Sequence, residues 1–335
     1  MNSWHLDGHM SFSVGQRSSA GVKPQNEDAI GIRIPENLLL STKGAVAVIA
    51  DGVSAAEAGK EASETCVYSF LSDYYSTPDT WSVKKSTSKT LTALNRWLYS
   101  QGRQFNKTTH GYLSTMSFIV FKSRTAHLFH VGDTRIYRLR GSDFEQLTRD
   151  HSSQINEEKS YLTRAMGLDI MLDVDYSTLN LEIGDVFFLS SDGIHNTLND
   201  KIIRDHLTTS QTSYEDSCDQ LISLALQHGS RDNLSCQILR IDSLPHQTSD
   251  EACSRLTELP FPPILDHGMI LDGLRVEKEI HASNRSQLYL VTQITSGAQF
   301  CMKTPSINYD DNPAYIERFI MESWIGARIQ NTHVA

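Results

Sequence analysis

Long hydrophobic runs are missing from this sequence. In 335 residues none approaches the roughly 20 needed to cross a bilayer, so no membrane segment is expected. The opening MNSWHLDGHM has no apolar core of the kind a secretory leader carries. Cysteine is scarce as well. Cys66, Cys218, Cys236, Cys253 and Cys301 are odd in number, scattered and without a CxxC pair, which argues against a disulfide framework or a zinc knuckle. A reducing, cytoplasmic setting is expected. Basic residues are outnumbered, 30 Lys and Arg against 40 Asp and Glu, and they form no cluster that could track a phosphate backbone. No nucleic-acid partner is expected.

What is present is ordinary for a globular chain: 39% apolar and 21% charged residues, enough to bury a sizeable core. The length exceeds what one core usually serves, so a main domain plus a further piece is expected. Runs rich in Val, Ile and Phe recur at 45–50, 116–121, 126–131, 135–140, 186–190 and 235–241 and read as strands. Between them, helical spacing appears after Asp51 (Ala58, Ala62, Cys66, Phe70), in TSKTLTALNRWLYSQ (Leu91, Leu94, Leu98) and in YEDSCDQLISLALQHG, where Gly229 is a stop signal. Strands in groups with helices between the groups predict an α+β layered domain of antiparallel sheets flanked by helices. It should occupy residues 10–241. Residues 242–265 hold four of the nine prolines and read as a linker, after which 266–335 resume strand-like alternation in LRVEKEI and SQLYLVTQI.

Acidic residues recur at strand ends. AVAVIADGVS ends its apolar run in Asp51-Gly52, and DVFFLSSDGIHN repeats that grammar at Asp192-Gly193. One Asp-Gly is by default a turn signal. Here it is joined by NED at Asn26–Asp28, by Asp133 in HVGDTRIYRL and by Asp232 in GSRDNLSCQIL. Sheet edges can aim such side chains into one cleft, where carboxylates repel one another unless a cation neutralises them. Hard divalent ions prefer oxygen ligands, and two of them can activate water for attack on a phosphoryl group.

The segments VKPQNEDA, VIADGVS, LSTMSFIVF, HVGDTRIYRL, LTRAMG, FFLSSDGIHN and GSRDNLSCQI resemble, in order and approximate spacing, the metal-dependent type 2C serine/threonine protein phosphatases. The resemblance covers residues 12–241. It implies a central β-sandwich of two antiparallel sheets flanked by helices, with two Mg2+ or Mn2+ ions in a cleft at one end and a weaker third in many members. On this resemblance Asp51 bridges both metals, Asp192 and Asp232 complete one site, and Glu27 with the carbonyl of Gly52 serves the other. Asp28 holds metal-bound water, Asp133 with Asp192 could hold the third ion, and Asn233 orients Asp232 or its turn. A hydroxide between the ions would attack phosphorus directly, with no phosphoenzyme, on phosphorylated protein substrates.

Two departures stand out. Lys23 takes the place of the usual arginine that grips the substrate phosphate, keeping the charge but losing the two-pronged geometry, which predicts weaker phosphate binding. Val53 stands where some members have a histidine as general acid, leaving a metal-bound water as the proton donor. His195 and His151 lie near the right motifs but read as structural. His127 and His130 should point to opposite faces of one strand. The segment 150–175 corresponds to the flap beside the cleft.

Residues 271–335 resemble the beginning of a protein kinase domain, a partial N-lobe. IHASNRSQLY keeps the glycine-rich-loop spacing from Ile280 to Tyr289, with His281, Ser283 and Ser286 at the glycine positions. Lys303 in FCMK and Glu322 in FIMESW take the places of the phosphate-contacting lysine and its helix partner. No catalytic-loop HRD or metal-binding DFG follows, so kinase activity is not expected of this chain. A phosphatase–kinase fusion, or a remnant of one, is implied, with the kinase half as a candidate substrate. The partial lobe should leave Phe319, Ile320 and Trp324 without cover. Against the enzyme stand two alternatives: a phosphatase-like module that binds phosphoproteins or regulates the kinase, and a metal-dependent nuclease, which the negative charge disfavours.

Overall fold

A computed structural model of the chain describes residues 10–79, 81–104, 111–156, 159–209, 213–245 and 262–306, together with 315, 316, 318, 319 and 322. The chain divides into two units, Met1–His246 and Gln247–Ala335. The first unit runs β1 (Ser11–Ser19), β2 (Asp28–Arg33), α1 (Asn37–Lys43), β3 (Ala45–Asp51), α2 (Gly59–Ser76), α3 (Val83–Gly102), β4 (Met116–Lys122), β5 (Thr125–Val131) and β6 (Arg135–Arg140). It continues through β7 (Asp143–Gln146), β8 (Ser152–Asn156), β9 (Lys159–Leu162), β10 (Asp175–Asn180), β11 (Val186–Ser190), α4 (Asp192–His195), α5 (Asp200–Thr209), α6 (Tyr214–Gln227) and β12 (Leu234–Ser243).

These strands form two antiparallel five-stranded sheets, ordered β1-β12-β11-β6-β7 and β10-β5-β4-β3-β2. Strand β3 reads as an unbroken apolar run because both of its faces are covered. Ala45, Ala47 and Ile49 enter the core between the sheets with Phe121, Phe187, Leu189 and Leu239, whereas Val46, Val48 and Ala50 pack under α2 and α3 against Phe70, Leu94 and Leu98. The outer face of the other sheet is covered by α5 and α6, through Phe188 and Ile238 against Ile203, Leu207 and Leu221. The result is four layers, helix–sheet–sheet–helix, as the strand grouping predicts.

Local details differ from the sequence-based expectation. Helix α2 starts at Gly59, not directly after Asp51, because the intervening donors are used elsewhere: Val53 N bonds Leu113 O and Ala58 N bonds Gly111 O. Strand β12 reaches Ser243, paired with Ser11 of β1, two residues beyond the expected edge of the sandwich. The segment 150–175 contains the β8-β9 ribbon and is tied down beyond it, where Met166 pairs with Ser114 and Asn95 of α3 bonds Gly167 N and Asp169 O at 2.8 Å each.

The second unit holds one antiparallel sheet of β13 (Ile270–Leu271), β14 (Leu274–Ala282), β15 (Ser286–Gln293) and β16 (Gln299–Pro305). Its small core is Leu265, Val276, Tyr289 and Val291. Asp272 and Gly273 both take positive φ, the two-residue turn that matches the twist of a hairpin. Most of the expected linker, 246–261, lies outside the described residues, as do Ile320 and Trp324.

Candidate active site

The ends of both sheets meet around Asp51. In β2 and β3, Asp28 sits directly opposite Asp51 in the antiparallel register. Asp51 is pinned through its backbone: its N–H donates to Thr115 Oγ1 at 2.9 Å, and its carbonyl accepts from Thr115 N at 2.8 Å and Ser114 Oγ at 3.0 Å. Gly52 N donates to Glu27 O at 3.0 Å, and a side chain at Gly52 would collide with the backbone of Gly59. That close approach is what requires glycine at this step.

The other sheet contributes Asp192, just after β11, and Asp232, just before β12. Gly193 passes so near Asn233 O that a Cβ there would overlap it, and Ser230 Oγ donates to Gly193 O at 2.8 Å. The two Asp-bearing loops are thereby locked together. Ser191 joins the sheets: its Oγ donates to Asp28 Oδ2 at 2.8 Å and accepts from Ser235 N at 3.0 Å. Asn233 is buried and fully used, accepting from Glu27 N at 2.9 Å while its amide donates to Ala20 O and Gln25 O at 3.0 and 2.9 Å. It therefore positions the turn carrying Glu27 as well as the one carrying Asp232.

The electrostatics follow from this crowding. Burial, with the Asp232, Asp133 and Asp28 carboxylates added, pushes Asp192 up to about 7. Burial pushes Asp28 up to about 6 although hydroxyl bonds from Ser235 and Ser191 oppose it, and burial with Asp150 pushes Asp133 to about 6. Asp51 is raised well above the usual range by burial and by Asp28, Asp192, Asp133 and Asp232. Lys23 answers this charge. It forms an ion pair with Asp232 and donates to Ser54 Oγ at 3.0 Å, and Ser54 in turn donates to Glu27 Oε2 at 2.7 Å. Burial lowers the Lys23 ammonium, but Asp232, Asp51 and Glu27 outweigh it and the net shift is upward.

Asp28 Oδ1 and Asp192 Oδ1 are buried acceptors without a hydrogen-bond partner among the described residues. Such oxygens carry a desolvation cost that a bound cation would remove, so this donor set fits hard divalent ions. Among the described residues no three His, Cys, Asp or Glu side chains yet converge closely enough to hold one ion, and one of the candidates, Asp232, is engaged by Lys23.

The structure thus brings Lys23, Glu27, Asp28, Asp51, Gly52, Asp192, Asp232 and Asn233 into one linked neighbourhood, with Asp133 coupled to it by charge. Sequence reasoning missed Ser54, Ser191 and Thr115; the hydroxyls in DGVS and SSDG were visible, but nothing in the sequence marked them as partners of Glu27 and Asp28. The histidines lie apart from this chemistry. His195 bonds Ser190 Oγ at 3.0 Å and burial pushes it down to about 3, and His151 bridges Gly132 N and Asp175. His127 and His130 take different partners, Tyr176 and Ser117, as expected for opposite faces. In the second unit Lys303 Nζ meets Glu322 Oε1 at 2.5 Å, and Ser283 Oγ closes the β14–β15 loop by accepting from Arg285 N and Ser286 N.

A two-sheet sandwich with carboxylates gathered at the ends of both sheets and held by serine and threonine hydroxyls has the layout of a metal-dependent phosphohydrolase. Residues 16–238 match the family described as Protein phosphatase 2C, and the chain belongs to that family. It is a protein phosphatase, and its family is metal-dependent. Protein phosphatase PhpP of Streptococcus pneumoniae serotype 2 is 27% identical over 212 residues, 58% of this chain and 85% of its own. Serine/threonine phosphatase stp of Listeria innocua serovar 6a is 28% identical over 241 residues, 64% of this chain and 89% of its own. Among solved structures, "PppA, a key regulatory component of T6SS in Pseudomonas aeruginosa" aligns with a TM-score of 0.59 at 25% identity, covering 69% of this chain and 99% of that one. The catalytic domain of the phosphatase PstP, in complex with 2 manganese ions, shares the fold with a TM-score of 0.59 at 24% identity, covering 70% of this chain and 100% of that one.

Proposed function

We propose that the cleft hydrolyses phosphoserine and phosphothreonine on proteins with Mg2+ or Mn2+ held by its carboxylates. The observation that carries this is the group of four carboxylates raised together, two of them with buried, unpartnered oxygens. In this reading Asp51 would be shared by two ions, Asp192 and Asp232 would complete one site, and Glu27 with the Gly52 carbonyl would complete the other. Asp133 with Asp192 is a candidate for a third. Bound ions supply an activated water and offset charge on the phosphoryl oxygens. The chain itself does the rest. Ser191 holds Asp28, which orders water; Asn233 sets Glu27 and Asp232; Lys23 offers the positive charge a phosphate needs. Val53 offers no imidazole as general acid, so the leaving alkoxide would take its proton from water.

The test is phosphate release from a phosphothreonine peptide with Mn2+ or Mg2+, with and without chelator. Turnover should require metal and fall by at least about a hundredfold in Asp192→Asn and Asp51→Asn. Metal binding without any phosphate release would favour the second reading, a catalytically weak module that binds phosphoproteins. The Lys23–Asp232 ion pair is the observation on that side, because it occupies a candidate ligand.

Three finer assignments belong with this reading. The phosphatase domain spans 10–241, a linker 242–265 and a kinase-like lobe fragment 266–335; the Lys303–Glu322 pair in the second unit supports the last, with a fused kinase half as a candidate substrate. Buried free thiols at Cys66, Cys218 and Cys236 support a reducing, cytoplasmic setting. Among the described residues no helix is long and apolar enough to cross a membrane.

A further inference from the structure

Besides the charge it offers a substrate phosphate, Lys23 has direct contacts with the carboxylates of the site. Its ammonium pairs with the Asp232 carboxylate and donates to Ser54 Oγ, and the single Ser54 hydroxyl proton goes on to Glu27 Oε2 at 2.7 Å. One cation therefore engages a candidate ligand from each side of the site, Asp232 directly and Glu27 through a hydroxyl. The chain of donors is directional and complete: an ammonium only donates, a hydroxyl accepts and donates, a carboxylate only accepts. The Lys23 and Asp232 side chains are 25% and 41% exposed, so the pair is partly buried and salt screens it less than a fully exposed one.

We propose that Lys23 is a built-in counter-cation that competes with divalent metal for Asp232 and, through Ser54, for Glu27. This rests on the reading of the cleft as a metal site. An ion entering there takes Asp232 from the ammonium, so part of its binding free energy is spent on breaking an existing pair. Metal occupancy and the freedom of the Lys23 ammonium are then linked reciprocally: what one gains at Asp232 the other loses. A lysine suits this role better than an arginine. Its ammonium is a compact charge on a flexible stem, able to sit between carboxylates and swing away, whereas a guanidinium prefers a fixed fork.

The measurement is Mn2+ affinity of the full chain without substrate, by calorimetric titration at fixed pH and ionic strength, for the parent, Lys23→Met and Lys60→Met. Lys60 opens α2 and pairs with Glu64, so its loss removes the same charge without touching Asp232. Lys23→Met should bind Mn2+ about fivefold tighter, the equivalent of one modest ion pair, and should melt earlier than the parent in chelator. Lys60→Met should match the parent within about twofold. Should Lys23→Met fail to fold, Lys23→Gln, which keeps a donor for Ser54, carries the same expectation. Equal or weaker Mn2+ binding by the Lys23 variant overturns the proposal, as does an equal gain in Lys60→Met, which would reduce it to general charge repulsion. Absence of Mn2+ binding in every protein would overturn the metal reading itself, and this inference with it.

Discussion

Asp28, Asp133 and Asp192 are held at about 6, 6 and 7 where an ordinary aspartate titrates at 3.8. Without metal, the folded chain keeps protons through that window that the unfolded chain has released, so stability falls as pH rises across it. Three imidazoles pull the other way. Burial lowers His127 and His130 to about 4 and His195 to about 3 from 6.5, so below 6.5 the unfolded chain takes protons that the folded chain refuses, and stability rises with pH. The trends oppose each other below 6.5, and above it the carboxylates act alone. In chelator the melting temperature should therefore fall between pH 6.5 and about 8, and saturating Mn2+ should flatten the slope. A chelated protein that grows more stable over that interval would contradict the crowded-carboxylate picture. Asn233 offers a second residue-scale test. Asn233→Ala strands Glu27 N, Ala20 O and Gln25 O, so denaturant unfolding should show a loss of about 3 kcal/mol, with weaker Mn2+ binding because Glu27 and Asp232 lose their common brace.

At the scale of elements, close backbone approach does as much as side-chain packing. Gly15 in β1 lies against the Tyr214 carbonyl at the start of α6, where a Cβ has no room. Gly15→Ala should push α6 from the sheet and cost about 1–3 kcal/mol in thermal or chemical unfolding, while leaving Mn2+ affinity of the folded protein unchanged. A variant as stable as the parent would show that α6 can shift freely. On the opposite side of the sandwich, Lys43 is buried at the end of α1 and donates to Thr77 Oγ1 at 2.7 Å and Pro78 O at 2.8 Å. Burial lowers its pKa, with Lys122 adding to the shift and the Asp79 carboxylate opposing it. It ties α1 to the end of α2 through a contact that hydrophobic periodicity does not register.

For the whole molecule, the division near His246 has a direct consequence. The residues that match the family end before it, and each unit has its own core. A chain ending at His246 should fold and retain the metal-dependent phosphatase rate of the full protein within about twofold. A large loss of rate or of cooperative melting would mean that the second unit supports the first.

The apolar strands, the three helices α2, α3 and α6 and the acidic strand ends were legible in the sequence because each is local, whereas α1 and α5 were not read from it. Buried strands such as 45–50 must be apolar on both faces, and an Asp-Gly step marks where such a run ends. The weaker elements were not legible: β1, β7 and β10 carry polar, half-exposed residues whose strand state comes from pairing with β12, β6 and β5. The same holds within the site. Sequence spacing determined which carboxylates could meet, but only tertiary structure decided that Ser191 holds Asp28, that Asn233 braces Glu27 across more than two hundred residues of chain, and that Lys23 lies on Asp232. Those contacts join segments from opposite ends of the domain, and no local pattern records a partner that folding alone brings within reach.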